Sequence, residues 1–470
     1  MKPQKRMCSS EVDIAVDRLG EMPDHVLVHI LSLMPTRDAV RTMLIRRFGD
    51  LWTMVHYISF DFNEHYRSPR SDDPDDDDDD AHDEERRIMS EAFSRFARFV
   101  RNVLMFHRRF TIVSFHLDIG EYKTDHIDPW LVDDVQVWLK FATDREVRDL
   151  YFACDIRDEL APPRCIFTCQ SLVTLTLCGS LFELDEQQPQ LHMGSLRKLS
   201  LISVLGSNEA LNQLISACPS LQELEIYNAY RLRDLNITAP SASRLDLTIA
   251  DVRGGPFTLN CPHVEILDIA LCRWSPSFLL NVIDVSSLLV VNVGRLPRCS
   301  SGSIIKEILR HFRDAKVFTL SSEAFEQLCC LEKVDIPQNR WLTLALQPWW
   351  DIERCLQVII ELVKSSEDLG ELIIYSGEST ASKGNHGVLS SELSTSCEMP
   401  LLKSVTILGY GTYREGQLQL IEFILRNAII LEKLVITCEE NKLTAVEELE
   451  FLKQVLRFKT ASANVIVEFA

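Results

Sequence analysis

The sequence predicts an α/β protein, a short module of three helices followed by a long solenoid whose strands lie in one parallel sheet. Three observations carry that reading. A six-residue pattern, apolar-x-x-apolar-x-apolar, returns thirteen times between "IVSFHL" and "LEKLVI". The stretches between the returns are spaced as helices in several units, and strand, helix, next strand is the order that yields parallel pairing through right-handed crossovers. Near the start, "MPDHVLVHILSLMPTRDAV" brackets an apolar stripe between two prolines.

In that stretch Val26, Leu27, Ile30, Leu31 and Met34 fall on one face of a helix. Pro23 suits its first turn, where the missing N–H has no partner to lose, and Pro35 ends it. Thr36 is placed to cap a second helix with Asp38 in the first turn, and Ala39, Val40, Met43 and Leu44 supply apolar positions. "RRFGDLWTMV" reads as a third. Residues 1–16 are expected to be a flexible tail and 17–62 the helical module, a unit so small that it leaves apolar surface for a partner.

The formal charge of −20 is uneven: the run "SDDPDDDDDDAHDEE" holds eleven carboxylates, and without them the balance is −9. With no apolar residue to bury and strong self-repulsion, residues 63–90 are expected to be a disordered, solvated insertion. The carboxylates lack the spacing of a calcium loop.

The stretch "DRLGEMPDHVLVHILSLMPTRDAVRT" with "LWTMVHYISFDF" resembles the F-box of plant F-box proteins. The family pattern runs Leu-Pro-Asp, an apolar helix, Leu-Pro-Thr, Asp-Ala-Val-Arg-Thr and a closing Leu-Trp. The resemblance implies that this module docks the Skp-type adaptor of a cullin ubiquitin ligase, through Met22, Pro23, Leu27, Ile30, Leu31, Pro35, Val40, Leu44 and Trp52. One departure stands out. "RTMLIRRFGDLW" is one residue shorter than the family's run and has Phe48 where the family has Trp. In a helix, a deletion turns everything after it by about 100°.

The repeats begin after the acidic run. Their central apolar residues are Phe115, Leu150, Leu175, Leu199, Leu224, Leu245, Leu267, Val291, Phe318, Val334, Leu372, Val405 and Leu434; from Leu150 to Val291 the steps are 25, 24, 25, 21, 22 and 24. That period means a solenoid, here a leucine-rich-repeat horseshoe over residues 91–359. "NEALNQLIS" and "SIIKEILRHF" have helical spacing, and the later steps of 16, 38 and 33 read as degenerate repeats. Residues 360–470, with "CEMPLLKSVTILGYGTYREGQLQLIEFILRNAIILEKLVI", resemble the FBD domain that ends many plant F-box proteins with leucine-rich repeats. There Leu420, Ile421, Ile424 and Leu425 form a helical face expected to cap the open end of the solenoid.

No motif of catalysis accompanies this architecture. "GYGTYREG" has neither dinucleotide nor P-loop glycine spacing, and there is no nucleophile elbow, no H-E-x-x-H and no cysteine–histidine metal spacing. Fourteen scattered cysteines without a CxxC pair read as reduced thiols. The acidic balance disfavours nucleic acid, and no apolar run is long enough to span a membrane or serve as a secretory signal. The expectation is a noncatalytic intracellular protein, cytoplasmic or nuclear, with no cofactor and no metal. It would be a substrate receptor of a Skp–cullin–F-box ligase that binds a protein substrate; the alternative is a repeat scaffold whose F-box no longer joins the ligase. For the substrate, the outward residues of the strands are the candidates: Thr176, Ser200, Glu225, Asp246, Asp268, Asn292, Thr319 and Asp335. Glu225, Asp246 and Asp268 would stack three carboxylates across neighbouring strands, where like charges repel unless Lys198 and Arg244 neutralise them.

Overall fold

In a computed structural model the chain divides into two compact units, Met1–Cys154 and Asp155–Ala470. The structure describes residues 19, 21–66, 79–108, 111–121, 129–155, 161–179, 181–182, 191–229, 235–249, 256–272, 279–296, 303–331, 336–348, 352–375, 398–410, 414–438 and 445–469.

The first unit opens with the predicted helices, Asp24–Ser32 and Thr36–Arg41. Both prolines precede them: Pro23 and Pro35 are the N-cap residues, and Thr36 is the first residue of its helix rather than its cap. Its hydroxyl serves elsewhere, accepting a hydrogen bond from the Ser59 backbone N–H at 2.7 Å. The third helix is replaced by short 3-10 turns at Thr42–Leu44 and Leu51–Met54 with an irregular turn between them. The missing residue therefore falls where no helical phase has to be kept. Arg47 ties this segment back to the first helix, through the Met22 carbonyl at 2.7 Å and Asp24 at 2.7 Å.

A strand follows that was not expected, Tyr57–Asp61, parallel to Ser114–Glu121, which in turn neighbours Asp149–Asp155. Between the first two runs the helix Asp79–Phe106, so the acidic stretch expected to stay unstructured to residue 90 is helical from Asp79; residues 67–78 of it lie outside the described residues. The long helix buries Phe93, Phe96, Ala97 and Val100. Phe60, Phe62 and Phe115 meet them or one another, with rings 5.2 to 5.9 Å apart. Burying an aromatic or aliphatic side chain of this kind is worth about 2 kcal/mol. This core joins the N-terminal helices to the first strands.

The second unit is a run of twelve parallel strands among the described residues, from Thr174–Cys178 to Ile466–Phe469. Leu175, Leu199, Leu224, Leu245, Leu267, Val291 and Phe318 stand in register, as the repeat pattern requires. The position after Phe318 belongs to Leu344, in the strand Thr343–Leu346, and not to Val334, which lies outside the described residues. With Leu344 in place the steps of 16 and 38 become 26 and 28. The sheet then continues through Leu372, Val405, Leu434 and Val467. The predicted helices form at Asn208–Ser216 and Ser303–His311. The helix Arg414–Asn427 does bury Leu420, Ile421, Ile424 and Leu425, but as an ordinary crossover between two paired strands. It caps no end. The fold class stands: an α/β chain with a large parallel sheet, as a leucine-rich-repeat solenoid requires, behind an N-terminal helical region.

Candidate interaction surfaces

The nine residues assigned to adaptor docking separate into three groups. Leu27, Leu31 and Trp52 are 0%, 2% and 7% exposed, so they hold the first unit together and present nothing to a partner. Met22, Ile30 and Val40 are half-buried. Pro23, Pro35 and Leu44 face solvent, Leu44 at 86% exposure. The reason lies in the helix's partners. Its inner face meets the Leu51–Met54 turn, and Ser32 accepts a hydrogen bond from the His56 backbone N–H at 3.0 Å. Leu33, Met43 and Ile45 are also exposed and apolar, outside that assignment. They lie in the turns at either end of the second helix, roughly 9 Å apart for six residues at 1.5 Å each. Leu33 had a signal in the sequence, because it falls off the first helix's stripe while remaining apolar.

On the second unit the predicted column of outward residues is real. Thr176, Ser200, Glu225, Asp246, Asp268, Asn292 and Thr319 are register partners in succession, and Asp335 lies outside the described residues. The three carboxylates do stack, but each has company. Lys198 Nζ lies 2.6 Å from Glu225 and 3.4 Å from Glu223, and the Ser200 hydroxyl donates to Glu225 as well. Arg244 pairs with Asp268 at 2.7 Å, and the Asn292 amide donates to the other oxygen of Asp268 at 2.6 Å. Asp246 accepts from the Tyr227 hydroxyl.

These partners set the acidities. Burial alone would raise Glu225, but the hydrogen bonds from Lys198 and Ser200 and the charges of Lys198 and Arg244 prevail and hold it below the usual carboxylate range. Asp246 goes the other way. Burial raises it, the Asp268 charge adds to the rise, and the Tyr227 hydrogen bond with the Arg244 charge offsets it only in part. Tyr227 is itself pushed up, by burial and then by its bond to Asp246. The row is thus an internally compensated network, the neutralised arrangement set out from the sequence.

Among the described residues no cluster of histidine, cysteine and carboxylate side chains could hold a metal ion, and no helix is long and apolar enough to cross a membrane. Burial pushes the Cys218 thiol up to about 12, the behaviour of a packing thiol rather than a nucleophile.

The fold defines a class, repeat proteins in which a long run of parallel strands follows an N-terminal helical region. Comparison with known proteins narrows it. A family model described as the leucine-rich repeats of FBD-associated F-box protein At5g56370 matches residues 135–267. The chain is 25% identical over 455 residues to F-box/FBD/LRR-repeat protein At5g56420 of Arabidopsis thaliana, covering 93% of this chain and 95% of the relative. F-box/FBD/LRR-repeat protein At2g04230 is 24% identical over 459 residues, 94% of this chain and 93% of the relative. F-box/FBD/LRR-repeat protein At4g00160 is 29% identical over 356 residues, 70% and 69% respectively, and both are also from Arabidopsis thaliana. The resemblance to plant F-box, leucine-rich-repeat and FBD proteins, read first from the motifs, holds along nearly the whole chain.

Proposed function

We propose that this protein is the substrate-recognition subunit of a ubiquitin ligase of the Skp–cullin–F-box type, noncatalytic itself, working in the cytoplasm or nucleus. The observation that carries the reading is the exposed apolar set Leu33, Pro35, Met43, Leu44 and Ile45 on a module whose relatives are named F-box proteins. Apolar side chains crowded into two adjoining turns are costly in water and gain by docking. The docking residues are therefore revised: the turns make the contacts, while Leu27, Leu31 and Trp52 hold them in position. The parallel sheets would offer their outward faces to a protein substrate.

The test is co-purification of the Skp-type adaptor with the full chain. Replacing Leu33 and Leu44 with Asp puts two charges into the docking turns without touching the core, and an unpaired buried charge costs several kcal/mol. Adaptor recovery should fall at least tenfold with the unfolding midpoint unchanged. Undiminished recovery from this variant, or no recovery with the unaltered chain, overturns the assignment. The second outcome would favour the scaffold reading.

A further inference from the structure

We propose that the outward face of the first unit's sheet is a receptor for an arginine side chain of an extended peptide. It stacks the guanidinium on His116 above Ser59, against the carboxylates of Asp61 and Asp118. The proposal stands apart from the ligase reading and concerns binding alone.

The geometry begins with three neighbouring strands. Tyr57, Ser59 and Asp61 alternate with the buried Ile58 and Phe60, so they point outward, as do Ser114, His116 and Asp118 beside the buried Phe115 and Leu117. Register pairs Ser59 with His116 and Asp61 with Asp118. On the far side of His116 lies Tyr151, and the two rings stack with centroids 4.0 Å apart and planes within 3°. Rings that face each other across strands about 4.8 Å apart stand perpendicular to the sheet. The second face of the imidazole therefore looks toward the neighbouring strand, where the residue is a small, exposed serine. The stack has a place for a third planar group.

The carboxylates decide which planar group. Asp61 Oδ1 accepts from the Asn63 N–H at 2.8 Å, and Asp118 Oδ1 from the Gly120 N–H at 2.7 Å. Gly120 has φ +71°, a conformation favouring glycine, and a Cβ there would come 3.1 Å from Asn63 Oδ1. Each carboxylate is thus fixed by one oxygen, and neither forms an ion pair among the described residues. Burial raises Asp118, and the Asp61 charge adds to the rise against the Gly120 hydrogen bond. Two oriented, uncompensated anions two residues along from an open aromatic face, roughly 6.6 Å, suit a group that is flat, cationic and a multiple donor. Guanidinium is all three, whereas the lysine ammonium is compact and strongly hydrated.

The experiment titrates the full chain, labelled with carbon-13 at histidine, with the peptide acetyl-Gly-Gly-Arg-Gly-Gly-amide and its lysine and citrulline counterparts. The His116 ring signal is assigned from a His116→Gln variant. The arginine peptide should shift that signal saturably and leave the other eleven histidines in place, the lysine peptide should bind at least fivefold more weakly, and the citrulline peptide should do nothing. Asp61→Asn with Asp118→Asn should weaken arginine binding at least tenfold. Ser59→Arg, which fills the slot from within at an exposed position, should abolish the response while every other histidine signal keeps its place. The proposal fails if citrulline acts like arginine, if the arginine peptide leaves His116 unmoved, or if the double variant titrates like the unaltered chain.

Discussion

Two rows of carboxylates lie across parallel strands of this chain, alike in register and unlike in everything around them. Glu225, Asp246 and Asp268 are stacked at strand spacing with Lys198, Ser200, Tyr227, Arg244 and Asn292 already in contact. Asp61 and Asp118 are stacked in the same way, held by the N–H groups of their own loops and without an ion pair among the described residues. A row of like charges is therefore no sign of a ligand in itself. What separates structure from recognition is whether the fold supplies the opposite charge.

The largest effect should come from removing that supply. Lys198→Met with Arg244→Met strips both cations from the longer row while keeping their stems packed. After discounting for side chains 37% and 41% exposed, a loss of about 2 kcal/mol is expected at pH 7 for two part-buried pairs, measured by urea unfolding.

Glu225→Gln should cost less, about 1 kcal/mol, with a definite dependence on pH. Its folded pKa is depressed, so its contribution is present above the unfolded value and lost as pH falls through the folded one. Variant and unaltered chain should converge in acid, once pH falls below that depressed folded value.

The smallest effect should have the opposite sign. The folded pKa of Asp118 is raised, so its favourable contribution exists below the unfolded pKa and is lost as pH rises through the folded one. Asp118→Asn, which keeps an acceptor for the Gly120 N–H, should stabilise the chain by a few tenths of a kcal/mol at pH 7 and leave it unchanged near pH 3. A loss in place of a gain would show that an internal cation already serves the shorter row. Asp246 shares the upward direction because burial outweighs the hydrogen bond from its one close partner, the Tyr227 hydroxyl.

Much of this was legible in the sequence because a repeat states the same constraint many times. The seven outward residues from Thr176 to Thr319 could be named from alternation alone, and they stand in register. Where the reading slipped, one repeat had been disguised by its company. "WLTLAL" carries the six-residue pattern with Trp341 in first place, but "LEKVDI" just before it matched too and drew the assignment. "VHYISF" carries it as well, at Val55, Ile58 and Phe60, and was absorbed into the helical module that precedes it. The residues named for docking show a different limit. Periodicity tells which residues share a helical face, not what covers it, and Leu27 and Leu31 are covered by the module's own later turn. His116 and Tyr151 hold the same outward position in "IVSFHL" and "VRDLYF", so their adjacency follows from the repeat, while the stacking of their rings depends on side-chain rotation that the pattern does not give.

The hydroxyls of Ser32 and Thr36, which take the N–H groups of His56 and Ser59, set a boundary on how such a protein can lengthen. The outermost strand of the first unit has its free side occupied by helix, so a duplicated repeat cannot be added ahead of it without dismantling the head. Growth and loss of repeats must take place farther along, where strand spacing already runs from 21 residues between Leu224 and Leu245 to 33 between Leu372 and Val405. For the sheet of the first unit, the helices are an end-stop.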